Sequence, residues 1–411
     1  MRRSTDHQIV VIGAGIGGLT TAALLAQSGY HVTVLEAGTY PGGCAGTFFH
    51  QGYRFDAGAT IAGGFHDSGP HTLIGNMLGI QWPIRTFDPA WVIHLPDQRV
   101  ALTRDNTDVL KHFPTSEAFW REQAQLADIG WSLSAQGFPW PPSNLTELVK
   151  IAETGLNHVP RALALLPLVS QTAYQWAARH RLGSHAAFIR FLDAQLLISA
   201  QTTARHANAI YSATALDLAR QGVYHVKGGM GGLAETLADA IKGFGGDVHF
   251  RHTVTRIHIE EGRVSGVSYK DGKHSRQDAF LPCNFVIGNV TPWSLDALLS
   301  EDSPPAIRRD AANRRTGWGA FVLHLGIRAN GLPDDMPDHH QIIAEMEGPL
   351  GEGRSIFVSL SPGWATTRAP ANHRAVTVTT HTAVQPWWDL VAQDHVAYEA
   401  RKAAYITSGA S

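Results

Sequence analysis

The sequence predicts an α/β protein that opens with a parallel strand–helix–strand unit. Three observations lead there: the largely β-branched run Gln8–Ile12, a glycine turn beginning at Gly13, and a second such run, His31–Leu35, closed by Glu36.

Gln8-Ile9-Val10-Val11-Ile12 suits a strand buried on both faces at the centre of a parallel sheet. It stops at Gly13, where Gly-Ala-Gly-Ile-Gly-Gly sets Gly13, Gly15 and Gly18 in the G-x-G-x-x-G spacing of a dinucleotide-binding turn. The first glycine permits the tight turn, the second leaves phosphate space against the backbone, and the third lets the helix lie close to the strand. Ala22, Ala23, Leu24, Leu25 and Ala26 predict a helix over Leu19 to Gln27, ended near Gly29, with its N-terminus facing the anion. Glu36 lies where a carboxylate accepts hydrogen bonds from ribose hydroxyls, and it disfavours a 2′-phosphate. A few residues on, Pro41-Gly42-Gly43 is a sequel that the first unit of an NAD dehydrogenase rarely has. The chain continues through Gly46-Thr47-Phe48 and the glycine-dotted stretch from Tyr53 to Thr60.

From Gly13 through Thr60 the chain resembles the phytoene desaturase, carotenoid isomerase and retinol saturase family of FAD enzymes. The resemblance resumes from Tyr224 to Leu233, which is similar to a Gly-Gly-Met turn introducing a flavin-domain helix with Leu233, Leu237, Ala240 and Ile241 on one face. It runs through Gly243-Phe244-Gly245-Gly246 to a strand at Val248 to Phe250 and on to Val254-Thr255-Arg256-Ile257, where the family's backbone lies against adenine. A hairpin is expected through Ile257–Ile259, the turn Glu260 to Arg263, and Val264 to Val267. Phe285 to Asn289 resembles the strand that returns to the flavin domain, and Ser361 to Pro370 with the strand-like Ala375 to Thr382 resembles part of the substrate domain.

The resemblance implies an FAD/NAD(P)-binding Rossmann-like domain of the glutathione-reductase and amine-oxidase type, from residues 1–70 and 222–300. An α+β substrate domain, from 71–221 and 301–411, is interleaved with it. FAD is the implied cofactor, with contacts from Gly13, Gly15, Ile16, Gly17, Gly18, Glu36, Ala37, Gly42, Gly43, Gly58, Ala59, Thr60 and Val254. An apolar polyene, a carotenoid or related isoprenoid, is the implied substrate, with desaturation, saturation and flavin-assisted isomerisation all open. The preserved motifs name no catalytic acid or base. Family members continue beyond the Tyr405 region into a last flavin-domain strand with a Gly-Asp motif that is not found here, so a truncated chain is expected. Two rival readings stand beside this one: another flavoenzyme, such as an amine or porphyrinogen oxidase, and an inactive remnant.

Trp82, Trp91, Trp120, Trp131, Trp140, Phe188, Phe191, Leu192, Leu196 and Leu197 suit either a greasy tunnel or a helical core, the core being favoured for any one of them. Arg161 to Ser170 is read as a buried helix or one that dips into a membrane surface. Peripheral attachment on the inner face of the membrane, with a cytoplasmic setting, follows as an expectation.

At 411 residues with 44% hydrophobic side chains, the chain is long enough for two domains with cores of ordinary size. Lys plus Arg total 33 against 35 Asp plus Glu, which removes the electrostatic case for nucleic acid. Cys44 and Cys283 alone make neither a disulfide framework nor a tetrahedral zinc site, and Cys44 is read as a small buried thiol. Residues 1–8 read as a short leader before a strand, and no apolar run approaches the roughly 20 residues that span a bilayer. Neither His249 with His252 nor His339 with His340 has a supporting ligand cluster, so no metal is expected. Gly137 to Pro142 is the clearest loop signal.

Overall fold

The computed structural model describes residues 7–135, 146, 149, 166–272, 275, 277–313 and 317–410. Its first sheet is parallel, in the order Phe285–Gly288, Gln8–Ile12, His31–Glu36, Asp247–Phe250. Both faces of the central strand are covered, which is why it is apolar throughout: Val11 packs in one cluster and Val10 in another, each fully buried. On the first face the helix Ile16–Gln27 lays Leu19, Ala22, Ala23 and Ala26 against the helix Gly231–Gly243. The inward stripe of that second helix is Leu233, Ala234, Leu237, Ala238 and Ile241. Ala240, expected on this face, is only half-buried, because the helical period brings Ala234 and Ala238 round in its place.

The opposite face carries an antiparallel sheet of His252–Glu260, Arg263–Asp271 and Ala279–Pro282. Its hairpin turns at Glu261 (φ 52°) and Gly262 (φ 76°), the two left-handed residues of a tight loop matched to strand twist. Val254, Ile257 and Val267 from this sheet close over Val10, Ile12 and Leu35.

A six-stranded mixed sheet follows, ordered Trp318–Arg328, His373–Ala383, Ser355–Leu360, His339–Ile343, Val92–Leu95, Gln98–Ala101. Helices Glu117–Ala135, Ala173–Arg179, Ala186–Ala200 and Ala209–Ala215 build its core. Trp91, Trp120, Phe188, Phe191, Leu192, Leu196 and Leu197 all lie in that core, each at most 5% exposed. The rings interlock, with Phe119 and Trp176 centroids 4.4 Å apart and Phe113 and Phe191 5.2 Å apart. These residues therefore fill space and do not line a tunnel. Trp82 packs on the cluster shared by the first sheet and its two helices and donates to the His71 carbonyl at 2.7 Å, Trp131 donates to Asp217 Oδ2 at 3.0 Å, and Trp140 lies outside the described residues. A cavity of about 330 Å³ lies elsewhere, beside the helices Gln385–Gln393 and His395–Ala410, with Phe321, Trp387, Trp388 and Tyr398 in its wall.

The loop expected at Gly137 to Pro142 and the first half of the Arg161 to Ser170 segment fall outside the described residues. The second half is a short 3₁₀ turn, Leu166–Leu168, with Leu168 buried and Val169 40% exposed. Among the described residues no helix is long and apolar enough to cross a membrane.

Candidate cofactor site

The strand Gln8–Ile12 ends at a turn that the backbone itself ties down. Gly13, at φ 97°, donates its N–H to the Leu35 carbonyl at 2.9 Å, and Ala14 donates to Glu36 Oε2 at 2.7 Å. Glu36 Oε1 accepts from the Gly38 N–H at 2.6 Å, so its carboxylate ties the glycine turn to the loop that follows the second strand. The helix begins at Ile16, three residues earlier than expected, with no side-chain cap and no acidic residue in its first turn. Its leading amides have no intrahelical partner, and together with the helix dipole they form the donor set that a pyrophosphate requires.

What a Cβ would meet at each glycine separates their roles. At Gly18 it would come within 2.4 Å of the Gly13 carbonyl oxygen, so this position sets the helix against the strand, as the spacing predicts. At Gly15 it would lie 2.7 Å from Asn289 Nδ2, and at Gly17 3.2 Å from Asn289 Oδ1. At Gly15 the nearest neighbour is thus the Asn289 side-chain amide, which lies over the turn. Asn289 follows the parallel strand Phe285–Gly288 at its carboxyl end, the end where ligands bind in such sheets, and that position is the signal that could have singled it out.

The chain returns to this turn twice. Gly42, at φ 112°, donates to the Ala14 carbonyl at 2.7 Å and bridges to Gly15, while Gly43 comes beside the Gly15 Cα. Further on, Ala59 donates to the Cys44 carbonyl at 3.2 Å, and a Cβ at Gly58 would press within 2.7 Å of that same oxygen. Gly17, Ala37, Gly43, Gly58 and Ala59 are exposed, so they form an open rim over the buried Ala14, Gly18 and Gly42. Cys44 stands on this rim and is exposed, contrary to the expected buried thiol, because the 3₁₀ turn Gly43–Ala45 runs along the surface. Cys283 is the buried one, and burial pushes its thiol up to about 11. Val254 packs with Leu35 beneath the rim, where Arg251 donates to the Gly38 carbonyl at 2.8 Å.

Two polar networks that sequence reasoning missed join the rim to the six-stranded sheet. Asp56 Oδ1 accepts from Thr47 Oγ1 at 2.7 Å and from the Met230 N–H at 2.8 Å, and its Oδ2 accepts from Arg368 Nη2 at 2.9 Å. Thr47 Oγ1 also accepts from the Gly231 N–H at 2.8 Å, so one buried carboxylate fixes the start of the helix Gly231–Gly243. In the second network Thr60 Oγ1 meets Ser359 Oγ at 2.8 Å, and Ser359 meets His339 Nδ1 at 2.9 Å. Next to it His225 stacks on Phe87 at 4.0 Å and approaches Asp338 Oδ2 at 2.9 Å, without the alignment of a good hydrogen bond. Burial raises the Asp338 carboxyl, but His225 and Arg374 outweigh it and hold the group below its ordinary value. Among the described residues no three His, Cys, Asp or Glu side chains converge to hold a metal ion.

The chain is similar to known proteins. Residues 16–401 match the family of flavin containing amine oxidoreductases. The chain belongs to that family. Flavin is accordingly the cofactor of this chain, an oxidoreductase by family, and the uncapped helix start and glycine turn suit its diphosphate. Among curated proteins the chain is 28% identical, over 98% of its length, to prolycopene isomerase 1 of an Oncidium hybrid cultivar. It is 27% identical, over 84% of its length, to the zeta-carotene-forming phytoene desaturase of Myxococcus xanthus. The matched regions span 68% and 64% of those two relatives, about two thirds of each. A putrescine oxidase structure superposes with a TM-score of 0.60 at 16% identity, covering 98% of this chain and 80% of that one, a likeness of fold alone.

Proposed function

We propose that the chain uses FAD to desaturate, saturate or isomerise an apolar polyene of the carotenoid class. The observation that carries this reading is the meeting of the Gly13–Gly18 turn, Glu36 and the two returning loops on one open rim, in a chain whose curated relatives are named for carotenoid substrates. In this reading the first amides of the helix Ile16–Gln27 hold the diphosphate, Glu36 and Ala37 face the ribose, and Val254 lies on the adenine side. Gly42, Gly43, Gly58, Ala59 and Thr60 carry the rim toward the six-stranded sheet, and Thr60 touches that sheet at Ser359. When bound, flavin supplies the hydride acceptor or donor. The chain orients the polyene and excludes water. Residues 1–70 and 222–300 form the cofactor unit, 71–221 and 301–411 the substrate unit, and the protein works at the inner face of a membrane, where such substrates partition.

The test is to purify the chain, record its visible spectrum, extract the bound cofactor, and offer polyenes to the oxidised and reduced forms separately. A yellow protein that releases FAD and converts a polyene in one of those states is the expected result. Tight NAD binding without FAD, or turnover of amines with polyenes left untouched, overturns the reading.

A further inference from the structure

His339 is 2% exposed, and although its Nδ1 meets Ser359, its Nε2 has no hydrogen-bond partner. A buried polar atom left in that condition costs about 1–3 kcal/mol, so the site is built for something that bonds there. The ring borders a cavity of about 10 Å³ whose wall also carries Thr60, His225, Ser361, Arg368 and Thr377. A space of that size between polar groups is what a single buried water occupies. On the far side, His225 Nε2 lies 2.9 Å from Asp338 Oδ2, Asp338 pairs with Arg374, and the Asp338 side chain is 20% exposed to solvent.

We propose that this cavity binds one water on His339 Nε2, and that Thr60, Ser359, His339, the water and the His225–Asp338 pair form a proton path from the cofactor rim to solvent. The reading that Thr60 faces the cofactor rests on the function proposed above. Each member gives one proton as it receives one. A proton arriving on Thr60 Oγ1 displaces the Thr60 proton to Ser359 Oγ, Ser359 passes its own to His339 Nδ1, and His339 releases the Nε2 proton to the water. The water gives one proton to His225 Nδ1, His225 gives its Nε2 proton to Asp338 Oδ2, and Asp338 gives one to solvent; run backward the same chain delivers a proton to the rim. Carbon–hydrogen chemistry on a polyene needs such a path, because loss of hydride leaves a cation that must shed a proton.

The imidazole suits this role by staying neutral. Burial, and then the neighbouring His225, lower its pKa to about 3, with His340 and Arg368 acting the same way and Asp338 opposing. A ring held neutral takes a proton on Nδ1 as it releases the one on Nε2.

Two measurements test the path. A crystal structure of the purified protein at about 2 Å should show a water within about 3.2 Å of His339 Nε2; a side chain filling that place overturns the proposal. In Ser359→Ala, polyene conversion should fall at least about tenfold with an unchanged flavin spectrum, the solvent deuterium isotope effect should rise as proton transfer becomes limiting, and Ser359→Thr should restore both. Wild-type rate and isotope effect in Ser359→Ala also overturn it. If the wild type binds no flavin or converts no polyene, the functional reading fails instead, and the density at His339 still decides whether the water site exists.

Discussion

Replacing Arg368 by methionine removes the cation from a pair whose side chains are 8% and 5% exposed for Arg368 and Asp56. Asp56 Oδ1 keeps its bonds from Thr47 and the Met230 N–H, but Oδ2 loses the Arg368 guanidinium in a buried site. Breaking a buried pair from one side costs about 3–5 kcal/mol. The two bonds that survive place this case at the low end, about 3 kcal/mol, or roughly a hundredfold in the folding equilibrium. Urea unfolding followed by tryptophan fluorescence measures it, with an unchanged slope confirming that the unfolded state is not altered. The double variant Asp56→Asn, Arg368→Met removes the stranded charge and should recover part of the loss. A single variant that loses less than about 1 kcal/mol would falsify the view that this pair locks the start of the helix Gly231–Gly243 to the rim.

Three further outcomes follow from the geometry. Gly15→Ala should weaken flavin retention at least about tenfold while costing under about 1 kcal/mol of stability, since its Cβ meets only the movable end of Asn289, whereas Gly18→Ala drives into the Gly13 backbone oxygen and should cost about 1–3 kcal/mol. Equal melting curves for the two would show that the glycines are not so divided. Phe188→Ala should cost about 3–5 kcal/mol, because the ring is fully buried among aromatics; unaltered stability with a changed polyene KM would return it to a tunnel wall. His339 contributes stability that is whole above pH 6.5, where the unfolded ring is neutral, and is lost as pH falls toward about 3, because the unfolded chain takes a proton that the folded ring refuses. His339→Asn should therefore lose about 2 kcal/mol less than wild type between pH 6.5 and 5, and parallel stability profiles for the two proteins would rule this out.

The glycine turn, Glu36 and the strands on either side were legible because their chemistry is local: a run of β-branched residues, a spacing of glycines and one acid all lie within the first 36 residues. The large apolar residues between Trp82 and Leu197 were not decidable in the same way. A ring in a close-packed core and a ring on a tunnel wall have the same sequence pattern, and only the packing around Phe119, Trp176, Phe113 and Phe191 chose the core for Trp91, Trp120, Phe188, Phe191, Leu192, Leu196 and Leu197. Cys44 followed from neither pattern, since its exposure depends on how the turn Gly43–Ala45 meets Gly58 and Ala59.

By itself, then, the sequence determined that the chain opens with a nucleotide cradle and determined the type of strand and helix that build it. The tertiary structure decided which distant side chains complete the site: Asn289 over the turn, Arg368 on Asp56 across 312 residues, and Ser359 on Thr60 across 299. The reason is physical. A backbone turn is dictated by the conformations its own residues allow, whereas a buried carboxylate or imidazole acquires its partner only when separate segments are brought together and water is expelled from between them.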